Sequence, residues 1–150
     1  MLVTTKGQSI RFKESDLREM GRAAGGVNAM RLVKGDFIVG AEMIKKGIKD
    51  ASLLVIMENG YGKKTKISEY KTQKRAGSGI KTAQVTAKTG TLIASKVVVP
   101  GETEEIVAIS KKSQVIRVDV AEIPEIGRQT QGVRIMKLRE GDSIASLTCL

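Results

Sequence analysis

The residues of this sequence whose chemistry is easiest to assign are cations placed beside glycines. Two adjacent positive charges are followed by two glycines in the segment Gln73-Lys74-Arg75-Ala76-Gly77-Ser78-Gly79. Glycine lets the backbone approach a bound group closely, and the neighbouring cations neutralise phosphate charge. The pattern therefore predicts a loop that contacts phosphate.

This kind of segment occurs three times at an equal spacing. The position of Lys74 lies 53 residues after Gly21 and 53 residues before Gly127, and glycine and arginine recur around both of these positions. Equal spacings of this size indicate a repeat protein. We therefore divide the chain into three units of a single repeat domain, at residues 1–53, 54–106 and 107–150.

Each unit carries the pattern of short β-strands. An alternating segment with a tight turn opens each unit, and the clearest of these turns is Asn59-Gly60, a typical hairpin sequence. A second strand pair, turning at Gly35, Gly90 and Gly141, follows the glycine loop. Four short strands per unit with almost no helix predict an all-β fold, a β-pinwheel or propeller-like repeat of about three four-stranded blades. Three blades are too few to close a ring, so we expect a partial ring that belongs to a larger one or is completed by self-association.

Composition favours a polyanionic partner and excludes several classes of site. The chain has 26 lysines and arginines against 16 aspartates and glutamates, and the net charge of +10 is divided as +4, +4 and +2 over the three units. There is no histidine, which excludes histidine-based catalysis and the common histidine-containing metal sites. Only four aromatic residues are present, too few for the stacking platforms of single-strand binders. We predict no catalytic residue, no metal site and no cofactor.

The candidate contacts are basic side chains on the strands and on the glycine loops. Three of them, Arg11, Lys64 and Arg117, are 53 residues apart and occupy the same place in their units. A basic rim could bind the phosphates of duplex DNA without reading bases. The predicted DNA-binding residues are Arg11, Arg22, Lys63, Lys64, Lys66, Lys71, Lys74, Arg75, Arg117, Arg128 and Arg134. In contrast, we expect solvated side chains at Lys45, Lys46, Lys49 and Lys96, which lie in connecting segments.

Several features suggest a cytoplasmic protein that does not interact with membranes. The single cysteine, Cys149, excludes an internal disulfide framework and fits a reducing compartment. The aliphatic run from Leu53 to Met57 is far too short to cross a membrane, and the first residues lack the apolar core of a signal peptide.

The repeat resembles that of the C-terminal domain of gyrase A, the DNA-wrapping chain of DNA gyrase, and that of its topoisomerase IV homologue. The resemblance rests on the run from Asn59 to Thr65 and on the run from Ser68 to Arg75, and it extends once per unit over the whole chain. The gyrase A box has the form Gln-(Arg/Lys)-Arg-Gly-Gly-Lys-Gly. The segment 73–79 matches it at five positions and differs at Ala76 and Ser78.

The resemblance implies a β-pinwheel, a ring of about six blades that wraps duplex DNA along its basic rim. It further implies that the chain is a catalytically silent, DNA-wrapping part of an ATP-dependent bacterial type IIA topoisomerase. Its partners would be duplex DNA, the gyrase B subunit, and the rest of the gyrase A polypeptide. Such a protein would be associated with the nucleoid.

Two alternatives stay open at this point. The parent protein could be gyrase or topoisomerase IV, because the loss of a lysine at Ser78 affects the residues that distinguish wrapping from simple binding. The chain could also be a propeller-like interaction module whose basic surface binds an acidic protein or RNA. A change in DNA linking number on binding would distinguish wrapping from these alternatives.

Overall fold

Short β-strands provide most of the regular structure. The computed structural model describes residues 1–102 and 104–150, and eleven strands occur in this part of the chain. They are β1 (Leu2–Thr4), β2 (Gln8–Ile10), β3 (Ile38–Ala41), β4 (Ser52–Met57), β5 (Tyr61–Lys66), β6 (Ile80–Lys81), β7 (Leu92–Val98), β8 (Glu105–Ser110), β9 (Val115–Asp119), β10 (Val133–Arg134) and β11 (Ile144–Cys149). The single 3-10 turns at Glu14–Asp16, Ile67–Glu69 and Val120–Glu122 keep the 53-residue spacing.

The predicted hairpins are present in all three units. Strands β1 and β2, β4 and β5, and β8 and β9 pair antiparallel. The first two turns use Gly7 and Gly60 at φ angles of 81° and 80°, in the left-handed region that glycine enters without a steric penalty. Ser113 holds the equivalent place in the third turn at a φ of 62°. The all-β repeat predicted from the sequence is thus confirmed.

The sheets exchange strands between neighbouring units, which the sequence analysis did not anticipate. The first sheet has the order β3-β1-β2-β6, and the second has the order β10-β5-β4-β7. In each case the short edge strand, β6 or β10, comes from the following unit. The third sheet contains only β11-β8-β9 among the described residues. Neighbouring units are therefore joined by backbone pairing as well as by side-chain packing.

Strand β4 lies between the two hydrophobic cores of the molecule. Its six residues are all buried, and their side chains alternate between opposite faces. Leu53, Val55 and Met57 pack in the core on the side of the first sheet, and Leu54 and Ile56 pack in the core on the side of the third sheet. Burial of each such side chain contributes about 1.5–3 kcal/mol. The continuous apolar sequence of this strand follows from its having two buried faces.

Replacing Gly79 with alanine is expected to destabilise the exchanged strand. Gly79 has a φ of 76°, and a Cβ there would lie 2.3 Å from the carbonyl oxygen of Ser9. We expect a loss of about 2 kcal/mol from strain and overpacking, which corresponds to a fall in Tm of about 4–8 °C. The matched control is Gly77→Ala, because the nearest atoms to a Cβ at Gly77 are 3.6 Å away. Thermal unfolding of both variants checks the prediction, and equal falls in Tm would contradict it.

No helix in residues 1–102 and 104–150 is both long and apolar enough to span a membrane.

Candidate nucleic-acid interface

The glycine loop of the second unit lies against the end of the corresponding loop of the first. The amide of Ala76 donates to the carbonyl oxygen of Ala29, and the amide of Arg31 donates to that of Gly77, both at 2.9 Å. The next junction repeats the second of these bonds, since the amide of Gln84 donates to the carbonyl oxygen of Thr130 at 3.0 Å. The repeat thus joins successive glycine loops through backbone hydrogen bonds, and this brings their basic residues into one series.

Ala76 has a strained backbone conformation in the box-like loop, the segment 73–79 that resembles the gyrase A box. Its φ of 65° lies in the left-handed region, where the family motif has a glycine. A residue with a Cβ pays about 1 kcal/mol or more to adopt such a conformation. The hydrogen bond from its amide to Ala29 holds it there. Ser78, at the other departure from the motif, is exposed.

Three of the predicted contacts have free cationic groups on the surface. Arg22, Lys71 and Lys74 are exposed, and their side chains make no hydrogen bond or ion pair with any of the described residues. Arg22 and Lys74 lie in the glycine loops, and Lys71 immediately precedes the second loop. A phosphate can reach these groups without displacing an internal partner.

Two other predicted contacts bind the chain itself. Arg11 donates from its guanidinium to the carbonyl oxygens of Ile67 and Tyr70, at 3.2 and 3.1 Å. Lys64 donates in the same way to the carbonyl oxygen of Val120, at 2.6 Å. Because Ile67 and Val120 are repeat equivalents, these cations fasten each unit to the 3-10 turn of the next. The spacing of 53 residues between Arg11 and Lys64 is therefore explained by this contact between units.

The structure does not support Lys63 as a DNA contact. Its side chain is fully buried, and its ammonium donates to the carbonyl oxygens of Gly127 and Arg128 and to the hydroxyl of Thr130, at 2.7, 2.6 and 3.0 Å. Burial, opposed by the charge of Glu69 and reinforced by that of Arg128, lowers the pKa of Lys63 from 10.5 to about 8. Lys63 is therefore an internal brace for the third glycine loop.

Three further predicted contacts are engaged at the surface. Lys66 lies 3.6 Å from a carboxylate oxygen of Glu125, and the guanidinium of Arg117 pairs with the carboxylate of Glu105. The guanidinium of Arg75 donates to the carbonyl oxygen of Asn28. Exposed ion pairs contribute little stability, about 0–1 kcal/mol. Phosphate can therefore compete for Lys66 and Arg117. The hydrogen bond of Arg75 is also exposed.

The remaining predicted contacts, Arg128 and Arg134, lie beside two lysines that were not predicted from the sequence. Arg128 donates to the carbonyl oxygen of Lys81 at 2.8 Å. Arg134 and Lys88 lie 5.4 and 5.7 Å from the centre of the Tyr61 ring, within the range of cation–π attraction. Lys81 could have been found from the sequence, since it lies 53 residues before Arg134, and the structure shows that it is exposed. Lys88 was missed because its turn does not keep the 53-residue spacing, since Gly90 lies 55 residues after its equivalent Gly35.

The interface carries cationic groups that can bind anions. Within residues 1–102 and 104–150 there is no group of three or more histidine, cysteine, aspartate or glutamate residues that could hold a metal ion. Its charged groups are long, exposed cations carried by loops that the repeat places in series. Such an array suits a polyanion with regularly spaced charges.

Comparison with known proteins gives consistent matches. The family model described as "DNA gyrase C-terminal domain, beta-propeller" matches residues 1–45, 51–98 and 104–150. The chain is 40% identical over 147 residues to the DNA gyrase A subunit of Staphylococcus epidermidis, and the alignment covers 98% of this chain and 16% of that protein. The chain thus spans about a sixth of the length of this relative.

Solved structures resemble the fold over almost the whole chain. The structure of a DNA gyrase A C-terminal domain aligns with a TM-score of 0.85 at 29% identity, covering 99% of this chain and 49% of that one. The C-terminal domain of a DNA topoisomerase IV aligns with a TM-score of 0.88 at 27% identity, covering 99% and 45%.

Proposed function

The chain belongs to the DNA gyrase C-terminal domain family, and on this basis we propose that it binds duplex DNA without sequence preference and bends it along its basic rim. The observation that carries the proposal is the series of glycine loops, joined across the repeats by backbone hydrogen bonds and bearing the free cations of Arg22, Lys71 and Lys74. Duplex DNA presents a negative charge about every 1.7 Å along its axis, which a series of cations can follow.

The proposed contact set differs from the one predicted from sequence. It retains the exposed or weakly engaged cations and adds Lys81 and Lys88, and it omits the braced cations Lys63, Lys64 and Arg11. The set is Arg22, Lys66, Lys71, Lys74, Arg75, Lys81, Lys88, Arg117, Arg128 and Arg134.

We propose that the chain acts within the gyrase A polypeptide of a type IIA topoisomerase that also contains the gyrase B subunit. In this assembly it supplies DNA binding and wrapping, and the chemistry is carried out elsewhere. The charge of all three units supports a path along the whole molecule, because bending a 20–30 bp segment costs about 1–6 kcal/mol and several phosphate contacts must offset it. We also propose that it works in the cytoplasm, with the nucleoid.

The experiment that tests wrapping measures the linking number of DNA. A nicked circular plasmid is incubated with increasing amounts of the protein, sealed with ligase, freed of protein and resolved into topoisomers. We expect a shift in linking number that grows with protein and then saturates. A saturating complex that leaves the linking number unchanged would contradict wrapping and would leave simple DNA binding, as expected for a topoisomerase IV parent.

A further inference from the structure

The third glycine loop, residues 127–132, lies against a charged side chain, whereas the second loop lies against an apolar one. Lys63 donates from its buried ammonium to the carbonyl oxygens of Gly127 and Arg128, at 2.7 and 2.6 Å. Its repeat equivalent in the first unit is Ile10, a buried residue beside the second glycine loop. Equivalent loops are therefore built on an ammonium group at one junction and on a hydrocarbon side chain at the other.

The contact with Lys63 sets the direction of two peptide groups in the third loop. A trans peptide is planar, and its carbonyl and amide groups point in opposite directions. Because the carbonyl groups of Gly127 and Arg128 point at the buried ammonium, the amides of Arg128 and Gln129 point away from it. The ammonium also polarises these peptides and makes their amides stronger donors. Successive amides that are presented together form a concave anion-binding site.

A carboxylate of the chain itself occupies this site. The amide of Arg128 donates to Oε2 of Glu69 at 3.3 Å. Glu69 is exposed and is the last residue of the 3-10 turn of the second unit. The amide of Gln129 makes no hydrogen bond with any of the described residues. One oxygen of Glu69 therefore lies where a phosphate oxygen could bind, and a neighbouring amide donor is still available.

The charges around the site also suit an anion. The guanidinium of Arg128 is held beside the loop by its hydrogen bond to the carbonyl oxygen of Lys81, at 2.8 Å. Burial is the largest cause of the lowered pKa of Lys63, and the negative charge of Glu69 opposes it. The carboxylate thus interacts with two nearby cations. A phosphodiester group carries one negative charge, so it can replace the carboxylate without changing the local charge.

The second glycine loop shows that the fold does not require this bond. Asp16 and Arg75 are the repeat equivalents of Glu69 and Arg128. Neither the carboxylate of Asp16 nor the amide of Arg75 makes a hydrogen bond within the described part of the chain. The guanidinium of Arg75 nevertheless donates to the carbonyl oxygen of Asn28, as the guanidinium of Arg128 does to its equivalent at the next junction. The loop is therefore held in place without a carboxylate on its amide.

We propose that the amides of Arg128 and Gln129 form a binding site for one phosphate group of duplex DNA, and that Glu69 is an internal competitor which occupies this site in the free protein. The inference rests on the DNA-binding function proposed above. Duplex DNA that follows the rim displaces the carboxylate from the amide of Arg128. The affinity of the third loop for DNA is thus lower than its donors alone would give.

The first test compares two variants with the same change in net charge. Glu69→Gln is expected to raise the affinity for duplex DNA about fivefold at 0.1 M salt, and to make the slope of log K against log salt steeper by up to about 0.9, the value of one more phosphate contact. Glu122→Gln is the matched control, since Glu122 is the repeat equivalent, is exposed and makes no side-chain hydrogen bond with the described residues. It should raise the affinity at most about twofold, because salt screens exposed charges.

A third variant separates the position of the carboxylate from its charge. Glu69→Asp keeps the net charge but shortens the side chain by one methylene, as at Asp16, whose carboxylate leaves the loop amide unbound. It should raise the affinity for DNA about threefold, the equivalent of one modest hydrogen bond. Circular dichroism is expected to show that all three variants are folded, because Glu69 and Glu122 are exposed. Glu69→Asp with wild-type affinity, or Glu69→Gln with the affinity of Glu122→Gln, would overturn the proposal.

Inorganic phosphate tests the site without DNA. At constant ionic strength, the backbone amide NMR signals of Arg128 and Gln129 are expected to shift with phosphate, and to saturate at a lower phosphate concentration in Glu69→Gln than in the wild type. The amide of Arg75 in the second loop should shift far less. Unresponsive amides at Arg128 and Gln129 would overturn the proposal even in a chain that binds DNA. A response at these amides in a chain that binds no DNA would support the phosphate site and refute the proposed function.

Discussion

A chain in which Arg22, Lys71 and Lys74 are all replaced by alanine is expected to lose about two orders of magnitude or more in affinity for duplex DNA at 0.1 M salt. The three cations are exposed and make no internal hydrogen bond or ion pair among the described residues, so their removal should leave the fold intact. Each phosphate contact contributes about 0.9 to the slope of log K against log salt. The slope should therefore become shallower by up to about 2.7.

The matched control is a second triple variant, which loses the same three positive charges from a segment outside the glycine loops. Lys45, Lys46 and Lys49 lie between β3 and β4, outside the glycine loops. Replacing all three with alanine should change the salt slope far less. Binding isotherms for both triple variants, measured from about 50 to 200 mM salt on two unrelated sequences, give the comparison. Equal losses for the two variants would mean that net charge, and not the rim, determines binding.

Replacement of Lys63 with alanine is expected to reduce stability more than the loss of any exposed lysine, with little direct effect on DNA contact. The variant would leave a cavity and would remove the donor from the oxygens of Gly127, Arg128 and Thr130. The variant no longer pays the desolvation cost of the buried ammonium group, and this offsets part of the loss. We expect the free energy of unfolding to fall by about 2–4 kcal/mol.

The control variants separate the brace from simple charge and from simple volume. Lys66→Ala removes an exposed cation from the same strand and should cost at most about 1 kcal/mol. Lys63→Ile should be milder than Lys63→Ala, because Ile10 and Ile116 stand at the equivalent positions of the other units. Denaturant unfolding of the three variants measures these differences. A loss from Lys63→Ala no larger than that from Lys66→Ala would refute the role of Lys63 as a brace.

The same substitution should also change how stability depends on pH. Because burial lowers the pKa of Lys63 from 10.5 to about 8, the unfolded chain binds a proton between these values that the folded chain has released. This group therefore makes the folded state more stable as the pH rises from about 8 towards 10.5. The unfolding free energy of the wild type should rise relative to that of Lys63→Ala over that interval. A constant difference would contradict the lowered pKa.

Local features of the fold could be predicted because nearby residues decide them. The turn at Asn59-Gly60 and the strands on either side of it depend on a glycine at a φ of 80° and on a few flanking residues. The 53-residue spacing also predicted the equivalent hairpins around Gly7 and Ser113. The glycine loops and their positive charge could also be predicted, because residues that are contiguous in the sequence define them.

The partners of the individual strands and cations could not be predicted in this way. Lys63 and Lys64 are adjacent in sequence, yet the first is buried against residues 64 to 67 positions away and the second fastens a 3-10 turn. Lys74 has the same side chain and no partner among the described residues. The 53-residue spacing correctly identified Arg11, Lys64 and Arg117 as equivalent positions. It could not predict whether their side chains bind phosphate or a carbonyl oxygen of the chain itself.

The sequence by itself thus determined the repeat, its hairpins, the net charge and the family. Only the tertiary structure decided that β6 and β10 pair with the preceding units, and that some cations brace these junctions while others stay on the surface. The physical reason is that hairpin formation depends on backbone conformations a few residues apart. Whether a lysine is buried as a brace or solvated depends on which carbonyl oxygens a distant segment places beside it.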